Sequence, residues 1–393
     1  MPCRWLILTL IALTLGCAPA LAEGSLVIWI SSSRDAAALG AVAAQYQAIT
    51  GVTVTVTAMD PLPERFATAA GEGEGPDIVL LGHDQMGALA TKGLISPVNP
   101  PAEWTAGILP VAMAAVQFDS STWGYPVAVE ALHLIYNRDL LAEPPQWFED
   151  IPSLPLPRGN RRILWDYTNP YFSMPLLMAG GGYAFEKVNG NYDVTTTGVN
   201  SPGAIAGASM LLSLITDQLL PPDMTYQIMD DAMNGGRVAM VINGSWAWTN
   251  LAISGIDFGV APIPGVGGHP SPAFVTVQAL AINSASANRE LAKNFIETAL
   301  TSDTGLAMWN ANGGLAALAD VSAAAAQPDP NIAALLDIAA TGVPLPNNPE
   351  MVTFWQAMRA ALTDISTQTA TPTDALNAAA ARIVPPPTAP DSG

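Results

Sequence analysis

The chain has 393 residues, half of them apolar and only 12% charged, and 33 acidic against 14 basic side chains leave a formal net charge of −19. With no run of Lys or Arg and three scattered histidines it cannot present the basic stripe that a phosphate backbone requires, which excludes nucleic acid as a partner. Its length exceeds the roughly 250–300 residues at which a single core stops growing, so two lobes are expected.

The one long apolar stretch, residues 5–15, follows Arg4 and precedes small residues, the pattern of a secretory leader rather than a spanning helix. Ala20-Leu21-Ala22 carries the small residues that a signal peptidase reads, so the leader is expected to be 1–22, with Glu23 opening the mature chain. Leu15-Gly16-Cys17 also looks like a degraded lipobox, whose acylated cysteine would hold the protein on a membrane. Thr14 is a poor first residue for that motif, and soluble export is the preferred reading. Cys3 and Cys17 are the only cysteines, so the mature chain has none and must rely on a large core rather than on disulfides.

An apolar run at 25–30 predicts a buried strand, and an alanine-rich helix follows at 36–49 and stops at Gly51. Residues 52–57 alternate with period two, a second helix is expected over 62–70, and 77–81 reads as a third buried strand. Strand, helix, strand, helix, strand at this spacing is the βαβ pattern of a parallel sheet covered on both faces, which makes the first lobe α/β. Further on, 162–165 and 238–242 are candidate strands, with helices near 204–219 and 229–234. Asn189-Gly190 signals a hairpin turn, the Pro-rich stretches 143–158 and 343–349 read as loops, and the tail 385–393 is expected to be disordered.

His83, His133 and His269 are too dispersed for a metal pair and are expected to serve structure. Gly71-Glu72-Gly73-Glu74-Gly75 lacks the Lys-Ser/Thr of a phosphate cradle, and no Gly-x-Ser-x-Gly elbow occurs, so neither cofactor nor metal is expected. What stands out is a set of short clusters: Asp84; Glu130 at the end of Tyr125-Pro126-Val127-Ala128-Val129-Glu130; Tyr171-Phe172; Trp246-Ala247-Trp248; and Trp355 with Arg359. Trp355 and Arg359 lie four apart on a helix-like run and share one face. A flat indole beside a guanidinium suits a sugar ring, which lays its C–H face on the aromatic plane and offers its hydroxyls to charged groups. Taken singly, each tryptophan reads more simply as core, and Trp29, inside the first apolar strand, is expected to be one.

The segments Leu26-Val27-Ile28-Trp29-Ile30, Gly75-Pro76-Asp77-Ile78, His83-Asp84, Tyr125 to Leu132, Leu134-Ile135-Tyr136-Asn137, Pro170-Tyr171-Phe172, Gly181-Gly182-Tyr183-Ala184-Phe185, Ile242-Asn243-Gly244, Trp246-Ala247-Trp248, Glu290-Leu291-Ala292-Lys293 and Phe354-Trp355 resemble the periplasmic maltose/maltodextrin-binding proteins. These are family 1 solute-binding proteins of ABC sugar importers, and the likeness runs nearly collinearly from Gly24 to Ile383. It implies a two-lobed type II binding-protein fold, each lobe a sheet flanked by helices, with the ligand cleft between them. The N-terminal lobe would comprise 23–128 and 280–325, and the C-terminal lobe 133–274 and 331–384. Crossings would fall at 129–132, 275–279 and 326–330. The family's sugar contacts fall on Asp84, Glu130, Tyr171, Trp246, Trp355 and Arg359, with Glu64 also matching and Arg34 replacing a lysine. Leu81 stands in place of a tryptophan platform, Gln85 of an arginine, Asn169 of a glutamate, Ser31 and Ser33 of asparagine and aspartate, and Pro61 and Pro63 of lysine and glutamate. These departures bear on the identity and length of the sugar rather than on the fold.

The resemblance implies a monomeric, non-enzymatic periplasmic receptor that closes around a maltodextrin-type oligosaccharide and hands it to membrane permease subunits. The same fold could instead be specific for another disaccharide such as trehalose. A glycoside hydrolase using Asp84 and Glu130 is the alternative from another class.

Overall fold

The computed structural model describes residues 24–188, 190–312 and 315–384. The expected leader with Cys3 and Cys17, the turn residue Asn189 and the tail 385–393 lie outside them.

Strand Ser25–Ile30 is central to the first layer and pairs in parallel with Thr53–Ala58 on one side and Ile78–Gly82 on the other. Its alternation sends Leu26, Ile28 and Ile30 into a core shared with the helix Ala36–Thr50. That helix starts where Asp35 accepts from the Ala38 amide at 2.9 Å and ends on Gly51, whose φ of +80° is the left-handed cap that glycine adopts without strain. The helix Leu62–Gly71 covers the other face.

The sheet is mixed rather than parallel throughout. The ten-residue strand Phe274–Asn283 inserts antiparallel between Ile78–Gly82 and Tyr125–Ala131, within an eight-stranded sheet. It reaches this sheet directly from the second one, with no crossover helix, so nothing obliges it to run in the parallel sense. The second sheet has four strands in the order Phe258–Ala261, His133–Asn137, Val238–Asn243, Arg161–Leu164. Leu132 alone separates Tyr125–Ala131 in the first sheet from His133–Asn137 in the second. Residues 275–279 lie inside the strand Phe274–Asn283, and 326–330 connects the helices Val321–Ala325 and Pro330–Ala340.

Both Pro-rich stretches hold more structure than loops. The first contains the 3-10 helix Phe148–Ser153, nucleated by the buried Phe148 and Ile151, and the second opens with Val343–Pro344 paired in parallel to Phe274 and Val275. The helices expected near 204–219 and 229–234 are Pro202–Thr216 and Tyr226–Asn234. Helix Pro170–Met178 packs closely on Pro202–Thr216, because Gly207 has no side chain to collide with the Leu176 carbonyl. One buried cluster runs without a break from Phe66 and Val79 through Val129 and Val275 to Trp165 and Leu362, joining the two sheets. Among the described residues no helix is long and apolar enough to cross a membrane.

Candidate functional site

The strand Phe274–Asn283 organises the site. Its period of two puts Phe274, Thr276 and Gln278 on one face, and Thr276 lies directly opposite Glu130 in the antiparallel register. Glu130 is only 7% exposed, and both of its oxygens meet protein donors: Arg34 Nη2 at 3.0 Å and Gln278 Nε2 at 3.3 Å. Gln278 pairs in turn with Gly82, whose bare backbone leaves space that the Asp84 carboxylate approaches from the 3-10 turn His83–Gln85. Gln85 donates to Asp84 at 2.6 Å. Together these side chains form a polar floor on the first sheet.

An aromatic arc faces that floor. Helix Pro170–Met178 begins with Asn169 accepting from the Tyr171 amide at 3.2 Å, and this cap presents Tyr171 in the first turn. The Tyr171 hydroxyl lies 3.4 Å from Thr276 Oγ1, and its ring stacks on Phe274 with centroids 6.3 Å apart. Trp246, on the 3-10 turn Ser245–Ala247, tilts against Tyr171 at 6.3 Å, donates to the Tyr226 hydroxyl at 3.2 Å and remains 40% exposed. Trp355, on the helix Met351–Ser366, meets Phe274 edge-on at 6.3 Å. Arg359 follows one turn later and is exposed. Burial raises the Asp166 carboxyl above its ordinary range, and the charge of Arg359 opposes that rise. Burial also pushes the Tyr171 phenol well up, with the charges of Glu130 and Asp84 adding to it, so the hydroxyl stays protonated and can both donate and accept.

Two buried histidines brace the surroundings. His83 Nδ1 accepts from the Val277 amide at 3.0 Å while its other nitrogen donates to the Leu345 carbonyl at 2.8 Å. His133 donates from Nδ1 to the Ala131 carbonyl at 2.8 Å and accepts from the Trp248 indole at 3.1 Å. Burial lowers the pKa of both, that of His133 to about 4, so each is a neutral ring tying neighbouring segments together.

Of the residues expected from sequence, Arg34, Glu130, Tyr171, Trp246 and Trp355 are linked through direct contacts or through Phe274 and Thr276. Glu64 is elsewhere, in a groove of about 350 Å³ lined by Trp29, Met59, Arg65, Thr68, Ala69 and Glu72 and by none of the floor residues. Trp29 is correspondingly half-buried rather than core, because it lies on the opposite face from Leu26, Ile28 and Ile30. Leu81 is 3% exposed and packs with Val79 in the core. Ser31 and Ser33 share a hydrogen bond of 3.0 Å, and the Ser31 and Ser32 hydroxyls both donate to Asp60. Sequence reasoning passed over Phe274, Thr276 and Gln278. Their signal was present as two polar residues spaced by two within an otherwise apolar run of strand length.

Residues 30–306 match the family described as bacterial extracellular solute-binding protein. The chain is 26% identical over 329 residues to a galactooligosaccharide-binding protein of Bacillus subtilis, covering 78% of this chain and 76% of that one. It is 28% identical over 329 residues to the maltodextrin-binding protein MdxE of the same organism, covering 78% and 77%. To a maltooligosaccharide ABC transporter solute-binding lipoprotein of Streptococcus pneumoniae it is 25% identical over 346 residues, covering 82% and 79%. Two α/β layers joined through short direct connections, with a polar floor faced by an aromatic arc, agree with these matches, and the chain belongs to the bacterial extracellular solute-binding proteins of two-lobed, type II fold.

Proposed function

We propose that the protein is the non-enzymatic receptor of an ABC importer, exported to the periplasm, where it captures a neutral oligosaccharide of the maltodextrin class and delivers it to permease subunits as a monomer. The observation that carries this reading is the apposition of Tyr171 to Thr276, which brings the arc of Trp246, Tyr171, Phe274 and Trp355 over a floor built from Arg34, Asp84, Glu130 and Gln278. Aromatic faces take the C–H surface of a pyranose and the floor takes its hydroxyls. In this reading the first lobe comprises 23–128 with 280–325 and the second 133–274 with 331–384, so that ligand contacts from both favour closure. Names of relatives that bind maltodextrin and maltooligosaccharide support the sugar class.

Four of the departures act indirectly in this reading. Asn169 caps the helix that carries Tyr171, Gln85 holds Asp84, Ser33 belongs to the Asp60-bonded loop beside Arg34, and Leu81 leaves all the stacking to the second lobe. A hydrolase would need a carboxyl free to protonate a leaving oxygen, whereas Glu130 is engaged by two protein donors.

Calorimetric titration with maltose, maltotriose, trehalose and a galactooligosaccharide, with an assay for released reducing ends, tests the proposal. Saturable heat with at least one sugar and no new reducing ends is the expected result. Silence with every sugar removes the receptor reading, and sugar cleavage replaces it with the hydrolase. Mass spectrometry of the mature N-terminus distinguishes cleavage after Ala22 from acylation at Cys17.

A further inference from the structure

Gln278 is an amide on a strand whose other buried side chains are nearly all apolar, and it is 9% exposed. One of its N–H groups reaches Glu130 Oε2, and among the described residues no protein donor meets its Oε1. Arg34 is in a similar position, with one nitrogen on Glu130 Oε1 and no protein acceptor for its remaining N–H groups among the described residues. Glu130 itself is almost fully covered. Within this trio the open hydrogen-bonding capacity therefore belongs to Gln278 and Arg34, the two groups that Glu130 holds, rather than to Glu130. Gln278 also lies beside Gly82 in the register and shares a strand face with Thr276, whose hydroxyl meets Tyr171, so it sits where the floor approaches the arc.

We propose that Gln278 is a specificity-determining contact for paired hydroxyls of the sugar, and that Glu130 is a positioning residue that orients Gln278 and Arg34. This rests on the receptor reading. An amide offers a donor and an acceptor side by side, which matches two adjacent hydroxyls. The charge of Arg34 is already neutralised by Glu130, and Asp84 adds a negative charge at the edge of the floor. The floor is thereby suited to neutral sugars and disfavours a uronic acid whose carboxylate would face Asp84, because the floor's own cation, Arg34, is already paired with Glu130.

The test is a double-mutant cycle on the full mature protein, with maltotriose as the first probe and a galactooligosaccharide as the second. Gln278→Leu is expected to weaken binding at least tenfold while moving the unliganded Tm by no more than a few degrees. Glu130→Gln should weaken it similarly, and the double variant should bind no worse than the poorer single variant, because both losses pass through one network. Gln278→Glu sets a carboxyl beside Glu130, so its affinity should rise as pH falls from 7 to 5 and the new group regains a proton to donate. The unmodified protein should show no such rise, and a galacturonate trimer should not compete with maltotriose. Multiplicative losses in the cycle would show that Glu130 holds the sugar itself, and unchanged binding by Gln278→Leu would show that the amide does not touch it. Either outcome overturns the inference while leaving the receptor intact. Absence of binding by the unmodified protein with both probes overturns the receptor reading first.

Discussion

Trp165 and Trp246 carry the same indole into opposite surroundings. Trp165 is fully buried, packs against Phe148 at 5.9 Å and donates to Ser173 at 3.0 Å, so Trp165→Ala should cost about 3–5 kcal/mol of stability. Trp246 touches Tyr171 and Tyr226 and remains 40% exposed. Trp246→Ala should leave stability within about 1 kcal/mol while weakening maltotriose by roughly tenfold, the worth of one lost stacking contact. Denaturant titration and calorimetry on both variants separate the two effects, and the reverse pattern would exchange their roles. Leu81 offers a complementary case. The resemblance implies a stacking tryptophan at this position, but here the side chain lies within the packed core, so Leu81→Trp should cost about 1–3 kcal/mol through overpacking and add no affinity. A gain in maltose affinity at undiminished stability would show that the position faces the ligand.

At the scale of elements, the connection between the strands Tyr125–Ala131 and His133–Asn137 depends on a proton. The His133 ring must be neutral at Nε2 to accept from Trp248, and its pKa falls from 6.5 to about 4 because the ring is buried. A folded-state pKa below the unfolded value means that the unfolded chain binds more protons between these limits, so stability rises with pH there. The contribution is complete above about pH 6.5 and is lost as pH falls toward 4, amounting to roughly 3 kcal/mol at 1.36 kcal/mol per pH unit. Unfolding free energies at pH 7, 6 and 5 should therefore decline in the unmodified protein. His133→Gln should show a shallower decline, and equal slopes would place the lost protons elsewhere. His83, lowered by burial as well, braces the long strand at Val277 and adds to the slope that remains.

For the whole molecule, closure and stability are coupled through mass action. A sugar that binds only the folded chain adds about 2.7 kcal/mol at a concentration a hundredfold above its Kd, and the Tm should rise with sugar concentration accordingly. Contacts from both sheets should also reduce the radius of gyration on binding, measurable by solution X-ray scattering. A Tm that rises without compaction would place the sugar on one lobe alone. Because both cysteines precede residue 18, neither change should depend on reducing agent in a chain cleaved after Ala22.

The local elements of the first layer are legible in the amino-acid sequence, since the apolar run at 25–30, the alternation at 52–57 and the glycine at 51 each act through their nearest neighbours. The sequence also supplied, through resemblance, the residue types at Arg34, Glu130, Tyr171, Trp246 and Trp355. Which partners those side chains meet depends on long-range packing. The direction of Phe274–Asn283, its register against Glu130 and the resulting face of Phe274, Thr276 and Gln278 depend on pairings more than a hundred residues apart in the chain. The same long-range packing left Trp29, expected as core, half-exposed beside Glu64. A strand's period assigns its side chains to two faces, but which face is buried, and against what, follows from the layer that later covers it.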